Sequence, residues 1–591
     1  MKNKVLGAVA AVLALAVACT LVWKHQAAEK EKTAAWKNVI AYVPLDDRTD
    51  NMEDVVYVAE ASGYRVVMPE GDIYCTKLDG QALNANGTQY GDRAALLEWV
   101  REMDKQGCDL FILSLDQLFS GGLVSSRAMY GENDLTFTDG TVMTEAEAFD
   151  QYIYALAKDK DNRIYLFDSI VRLASTVAYQ GFGLEEYYGL REYGMVARPV
   201  LEGSDLTLEN VFANYPYAAD GITAAEEALG DNTYRAALTE DIIDHYLAGR
   251  RRKLTLLDHV VTRLNKNKNG NTRLLIGIDD SSNTTNIQYN EIHYIESRLG
   301  EGSKVMAGLD SLARLLVGEI AQDTYDYTIR GSVRYVGGTQ GIPSSEFDRF
   351  TLEEVVDLHM ELYEIERVAE QDAELQIVVM TAPEDKTAAA AYCEELVSLL
   401  EYNQVHDIPT LFIEASNNAY GKTLETMLLE RVDFAHLVAF AGKYDQANVT
   451  GAGFAMGISR YLYLRCCGEK TDRADVVQVQ QIANSMALTY PYILSARYPL
   501  NVYIRDMGYD YNNILAEGED RELIQKKLEE LFLPGCEVMA GNLEGTTVIS
   551  DLMDYTEKMV GAVTYSDVYM PWNRTFEISI AIGVDPLIPV A

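Results

Sequence analysis

The chain has 591 residues, with 50 Lys+Arg against 90 Asp+Glu and a formal net charge of −40. Hydrophobic residues make up 48% and charged residues 24%, too apolar a balance for a disordered chain. The charge excludes electrostatic docking on nucleic acid or an anionic membrane face, since both need clustered cations.

The amino terminus reads Met1-Lys2-Asn3-Lys4, then an apolar run from Val5 to Trp23, then Lys24-His25. Lysines ahead of about twenty apolar residues specify export or a single membrane span. Three forms stay open: cleavage after Ala16-Val17-Ala18, lipidation of Cys19 in the loose lipobox Leu15–Cys19, or an uncleaved anchor. Residues 1–35 are thus expected to be a signal or membrane anchor with a linker, and the body to lie outside the cytoplasmic membrane, anchored or secreted.

Apolar runs of strand length follow at Val39–Pro44, Tyr64–Met68, Asp109–Leu115, Arg163–Phe167, Leu274–Ile278, Lys304–Gly308, Tyr327–Tyr335, Leu375–Thr381, Thr410–Glu414 and Leu437–Ala441. Helical patterns intervene at Ala94–Gln106, Met143–Lys158, Asp241–Leu264 and Ala388–Tyr402. Near-continuous apolar strands alternating with helices mean an α/β protein with a parallel sheet covered on both faces. The pattern predicts a core over residues 36–460, either a (β/α) barrel-like array or a large doubly wound sheet. Residues 461–591 read as an α-rich C-terminal part, with helices at Arg473–Leu488 and Asp520–Phe532 and a closing strand at Phe576–Ile582.

Metal and cofactor signals are weak. Cys75, Cys108, Cys393, Cys466, Cys467 and Cys536 are scattered, with no C-x-x-C, so no disulfide scaffold is expected. The seven histidines show no zinc-ligand spacing, which argues against a zinc hydrolase. No P-loop occurs, and Gly451-Ala452-Gly453 lacks the full dinucleotide fingerprint, so no cofactor is assigned. Carboxylate sites for calcium or magnesium leave little linear signature.

The informative polar residues stand at the carboxyl ends of strands. Val39–Pro44 runs into Asp46-Asp47-Arg48, and Asp109–Leu115 into Asp116 and then Gly121-Gly122-Leu123-Val124-Ser125-Ser126-Arg127. Arg163–Phe167 leads to Asp168 and Arg172, Leu274–Ile278 to Asp279-Asp280, Lys304–Gly308 to Asp310, and Leu437–Ala441 to Lys443, Asp445 and Asn448. Parallel α/β folds bind ligands at these ends, so the groups are expected to converge on one mouth. Helix capping or a local salt bridge is the competing role for Asp168 and Asp310, and an Arg-paired structural turn for Asp46-Asp47-Arg48. Adjacent carboxylates such as Asp279-Asp280 repel, which raises one pKa and separates their roles.

Several of these motifs together resemble those of a bacterial domain-of-unknown-function family, number four-one-two-seven. The resemblance is carried by Pro44-Leu45-Asp46-Asp47-Arg48, by Ser114-Leu115-Asp116 with Gly121–Arg127, and by Pro571-Trp572-Asn573-Arg574-Thr575-Phe576-Glu577. It spans about residues 38–580. Asp279-Asp280 and Asn448-Val449-Thr450-Gly451 fall where the family has further motifs; Thr49, Ser311 and Lys443-Tyr444 depart from its pattern. The resemblance implies no activity.

From the residues themselves, an acidic exported chain with 38 Tyr, 4 Trp and a carboxylate-lined mouth suits sugars, which offer hydroxyls to acids and C–H faces to rings. The expected function is a glycan-acting hydrolase with Asp279 and Asp280 as catalytic carboxylates. Asp46, Asp47, Asp116 and Asn448 would hold the substrate, with Arg48 and Arg127 fixing the carboxylates or an anionic substituent. Two alternatives remain: a non-catalytic extracytoplasmic binding protein for a small polar or sugar ligand, and a carboxylate-bound divalent-metal enzyme. A serine hydrolase is disfavoured, because no G-x-S-x-G occurs. The expected partner is a small molecule or glycan, with membrane contact only through the N-terminal segment.

Overall fold

The computed structural model describes residues 36–590 apart from 131–132, 227–233 and 443–444. The amino-terminal apolar run and Lys443-Tyr444 therefore lie outside the described residues. No helix among the described residues is long and apolar enough to cross a membrane.

Two open parallel sheets form the core. The first comprises β1 (Val39–Val43), β2 (Arg65–Val67), β3 (Leu110–Ser114), β4 (Arg163–Ile170), β5 (Thr272–Ile278) and β6 (Ser303–Ala307). Their order is β2-β1-β3-β4-β5-β6. The second comprises β7 (Arg330–Val336), β8 (Glu366–Arg367), β9 (Leu375–Met380), β10 (Thr410–Glu414) and β11 (Ala439–Ala441), ordered β8-β7-β9-β10-β11. Neither sheet closes, so of the two arrangements expected the doubly wound one describes the molecule and the barrel does not. Each sheet reverses its strand order once, beside β1 and beside β7. Such reversals open crevices at the strands' carboxyl ends.

The principal helices are α1 (Glu53–Ala61), α2 (Arg93–Gln106), α3 (Leu115–Ser120), α4 (Glu240–Leu264), α5 (Leu312–Tyr325), α6 (Ala389–Val405), α7 (Gln446–Cys466), α8 (Asp472–Ala487) and α9 (Gly518–Leu543). Alternate residues of each strand face opposite layers. Ala41, Val43, Phe111, Leu113, Ile164 and Leu166 pack on one side of the first sheet with α2 and α4. Ile40, Tyr42, Leu110, Ile112, Tyr165 and Phe167 pack on the other side with α1, α5 and α7, in a layer shared with Ile377, Val379, Leu411 and Ile413 of the second sheet. Helices α5 and α7 are thus clamped between two sheets, which explains why the strands read as unbroken apolar runs. Gly451-Ala452-Gly453 lies inside α7 rather than in a nucleotide loop. A β-carbon at Gly453 would stand 2.7 Å from Ile413, so glycine there allows helix and strand to approach.

The outer face of the second sheet, with Val378, Met380, Phe412 and Phe440, is covered by α6, α8 and α9. After α9 the chain forms five strands: β12 (Thr547–Asp551), β13 (Thr556–Met559), β14 (Val563–Tyr569), β15 (Ser579–Val584) and β16 (Ile588–Pro589). Sequence patterning finds only the region of β15. The others are short and half-exposed, and register shifts between Ile549 and Asp551 and between Ser566 and Tyr569 break the period-two alternation.

Candidate functional site

A cleft of about 410 Å³ opens where the carboxyl ends of the first sheet meet loops from the second sheet and from the C-terminal part. Arg48 follows β1, Arg127 follows β3 and α3, Asp279 and Asp280 follow β5, and Asp310 follows β6; all line the cleft. Ser345–Phe350 enters after β7, Asp445 and Asn448 at the start of α7, and Trp572, Arg574 and Phe576 from the β14–β15 connection. Elements far apart in the chain are gathered because every one of these loops leaves a strand or enters a helix on the same side of the layers.

Arg48 organises one wall. Its guanidinium is bound by Asp46, with Nη2–Oδ2 at 2.8 Å, and by Asp310, with Nη2–Oδ1 at 2.6 Å. Asp46 also accepts from Asn51 Nδ2 and the Arg48 amide, and it is fully buried. The Arg48 guanidinium lies over the Trp572 ring, and the indole N–H donates to Asp47 at 2.8 Å. Burial pushes the Asp47 carboxyl up, against the hydrogen bonds from the Thr76 amide and Trp572. Asp310 is held from below: Asn448 Oδ1 accepts from the Leu309 and Asp310 amides at 3.1 and 3.0 Å, while the Asn448 amide donates to Asp445, the cap of α7. Gly308 turns the strand over this contact with φ +78°, and its missing β-carbon would stand 2.8 Å from Asn448 Oδ1.

The opposite wall carries the paired carboxylates. Arg127 binds only Oδ2 of Asp279, through Nε at 2.9 Å and Nη2 at 2.6 Å. Burial raises the Asp279 carboxyl to about 6; Arg127 pulls it down and Asp280 pushes it further up. Asp280 keeps 42% of its side chain exposed and, among the described residues, pairs with Arg172 at 3.1 Å. Arg172 is itself anchored on the Ala174 and Ser175 carbonyls and lies over the Tyr187 ring. Asp348, held by Ser344 and Ser345 hydroxyls and the Ser345 amide, sits nearby with its carboxyl raised by burial.

Of the residues singled out from the sequence, Arg48, Arg127, Asp279, Asp280 and Asn448 line the cleft, while Asp46, Asp47 and Asp116 do not. Asp46 and Asp47 stand behind the wall, positioning Arg48 and Trp572 in place of touching a ligand directly. Asp116 is buried beneath, with Lys253 between it and Asp168. Burial works to lower the Lys253 ammonium, but the two carboxylates override it and hold it up. One ammonium does not neutralise two buried carboxylates: burial pushes Asp168 to about 7, Lys253 opposing and Asp116 adding to the rise. Ser125 and Ser126 donate to carbonyls of their own turn and are buried.

The sequence places Arg172 only as following Asp168, with no role in the cleft. The loop Ser345–Phe350 was missed, although a strand ending in Tyr335-Val336 and Gly337-Gly338 followed by a long polar stretch carries the same signature as the other walls. Lys253 was missed too. Its signal is the run Arg250-Arg251-Arg252-Lys253 inside an amphipathic helix, where i, i+3 spacing sends Arg250 and Lys253 to one buried face.

Two stacked parallel sheets with a mixed-charge cleft at their carboxyl ends define an α/β protein of the doubly wound class. The chain belongs to the family described as protein of unknown function (DUF4127), whose profile matches residues 40–581. No curated protein and no solved structure matches it.

Proposed function

We propose that the chain is an exported or membrane-anchored hydrolase acting on glycans in this cleft. The observation that carries the reading is the inequality of Asp279 and Asp280: one is nearly buried with its carboxyl pushed up to about 6, the other stands open to the cleft. Glycosidic cleavage asks for that division, a protonated acid beside the leaving oxygen and a second carboxylate as nucleophile, base or orienter. Asp279 Oδ1, left clear by Arg127, would donate the proton. Asp280, held from one side by Arg172, would supply the second role. Phe347 and Phe576, both partly exposed, offer rings for sugar C–H faces, while Trp572 is buried under Arg48 and Arg574. Five arginines and five aspartates line the cleft, largely paired with one another or with acids behind the wall, and a neutral hydroxylated ligand can enter without unbalancing them. The apolar run Val5–Trp23 supports export.

The test is Asp280→Asn. Turnover on a panel of glycans should be abolished while thermal unfolding stays nearly unchanged; full activity in the variant would overturn the role. The arginine partner on each carboxylate favours a second reading, non-catalytic capture of a polar ligand. Its mark would be ligand-induced thermal stabilisation with no turnover.

A further inference from the structure

A second group of side chains lies at the other end of the second sheet. Asp407 precedes β10 and His436 precedes β11, both on the amino-terminal side of their strands, whereas the cleft opens at the carboxyl side. The turn between β12 and β13 adds Tyr555, and β13 adds Glu557. His436 Nε2 stands 3.0 Å from Glu557 Oε1 and 3.3 Å from Tyr555 Oη. Tyr555 Oη is 2.8 Å from Asp407 Oδ1 and 3.4 Å from Glu557 Oε1. The ligand atoms of Asp407, His436 and Glu557 all lie within 4.8 Å of one another.

We infer that Asp407, His436 and Glu557, with Tyr555 Oη as a fourth donor, bind one divalent transition-metal cation, zinc foremost. Proton counting gives the first argument. Four electron-rich atoms converge, and the two protons of the imidazole nitrogen and the phenol serve the contacts to Glu557 at 3.0 Å and to Asp407 at 2.8 Å, which leaves the 3.4 Å approach of Tyr555 Oη to Glu557 Oε1 without a proton of its own. A cation satisfies all four together. Spacing gives the second. Ligands about 2.0–2.2 Å from a tetrahedral zinc stand roughly 3.4 Å apart; the separations here are 3.0, 3.3 and 3.4 Å, with Tyr555–Asp407 tighter at 2.8 Å and Asp407 within 4.8 Å of His436 and Glu557. Donor chemistry gives the third: an imidazole nitrogen beside carboxylates suits zinc and its neighbours, whereas calcium and magnesium take all-oxygen sets.

The ligands come from three separate stretches, so an ion there fastens the β12–β13 hairpin to the floor of the second sheet. That spacing, 407, 436 and 557, also explains why histidine spacing along the chain gave no zinc signal. The site is independent of the cleft and of any activity assigned to it.

The test uses the full chain, stripped with chelator, then equilibrated with zinc alone and dialysed. Elemental analysis should find one zinc per chain, and the melting temperature should rise on zinc addition and fall back with chelator. His436→Ala should lose both the zinc and the shift, and Glu557→Gln should bind at least tenfold more weakly. Should His436→Ala not fold, Asp407→Asn on the exposed turn takes its place, with the same loss expected. No zinc retained by the wild type, or equal zinc retained by these variants, overturns the assignment.

Discussion

Two sets of strand-end carboxylates, nearly indistinguishable in the sequence, end in opposite environments. Asp279-Asp280 after β5 reach the cleft, and Asp280 keeps 42% of its side chain exposed. Asp116 and Asp168, after β3 and within β4, are buried on Lys253. Partners decide the difference. The cleft pair is met by arginines from neighbouring loops, Arg127 and Arg172 each binding Oδ2 of its carboxylate. The lower pair is met from beneath by a lysine on α4, which draws both inward. A carboxylate at a strand end therefore faces the cleft only when no helix behind the sheet carries a buried cation for it.

The sharpest way to break that contrast is Lys253→Met. Two carboxylates would be left in an apolar interior without their cation, and breaking such a pair from one side is destabilising by about 3–5 kcal/mol. Urea unfolding should shift to a lower midpoint accordingly. Asp280→Asn, at the exposed member of the other pair, should leave the midpoint nearly where it is. Similar midpoints for the two variants would dissolve the distinction.

Asp279→Asn comes next and is read in turnover rather than stability. A general acid contributes about 10²–10⁴-fold, so a glycan cleaved by the wild type should be cleaved that much more slowly. Loss should be smallest for substrates with activated leaving groups, which need no proton. Wild-type turnover should also fall as pH rises through about 6, where Asp279 loses its proton. A pH profile unaltered in Asp279→Asn would remove Asp279 from the acid role.

Gly308→Ala sharpens the contrast from the cleft side. The new methyl would stand 2.8 Å from Asn448 Oδ1, in a backbone with φ +78° that disfavours a side chain. Overpacking of this kind costs about 1–3 kcal/mol. Because Asn448 also holds the Asp310 amide, ligand affinity should drop along with stability.

The central strands of the core are legible because burial on both faces leaves a continuous apolar signal, whereas the exposed two-residue edge strand β8 carries none and is not found. The hairpins after α9 were not, since half-exposed strands with register shifts lose their period. In the cleft, Asp279, Asp280, Arg48 and Asn448 could be named from their place after strands. Whether Asp46 or Asp116 faces a ligand could not, because the answer lies in Arg48 folding back two residues and in Lys253 reaching across from a helix well over a hundred residues beyond Asp116. Long-range pairing of that kind has no linear period. The cationic run Arg250–Lys253 was the available hint, since a helix cannot expose four consecutive residues.

The last contrast concerns protonation of the buried set and is read as a slope against pH. Asp168 is held near 7 in the folded chain and returns to the ordinary aspartate range, about 4, on unfolding. Between those values the native state binds the extra proton, so this group's contribution to stability falls as pH rises from about 4 to about 7. Asp168→Asn removes the group and with it the slope. The wild type should therefore lose ground against Asp168→Asn across that window, by less than about 1.4 kcal/mol per pH unit, the limit for one proton. Parallel pH curves for the wild type and Asp168→Asn would mean that Lys253 neutralises both carboxylates after all, and that the buried set is an ordinary ion pair with a spectator.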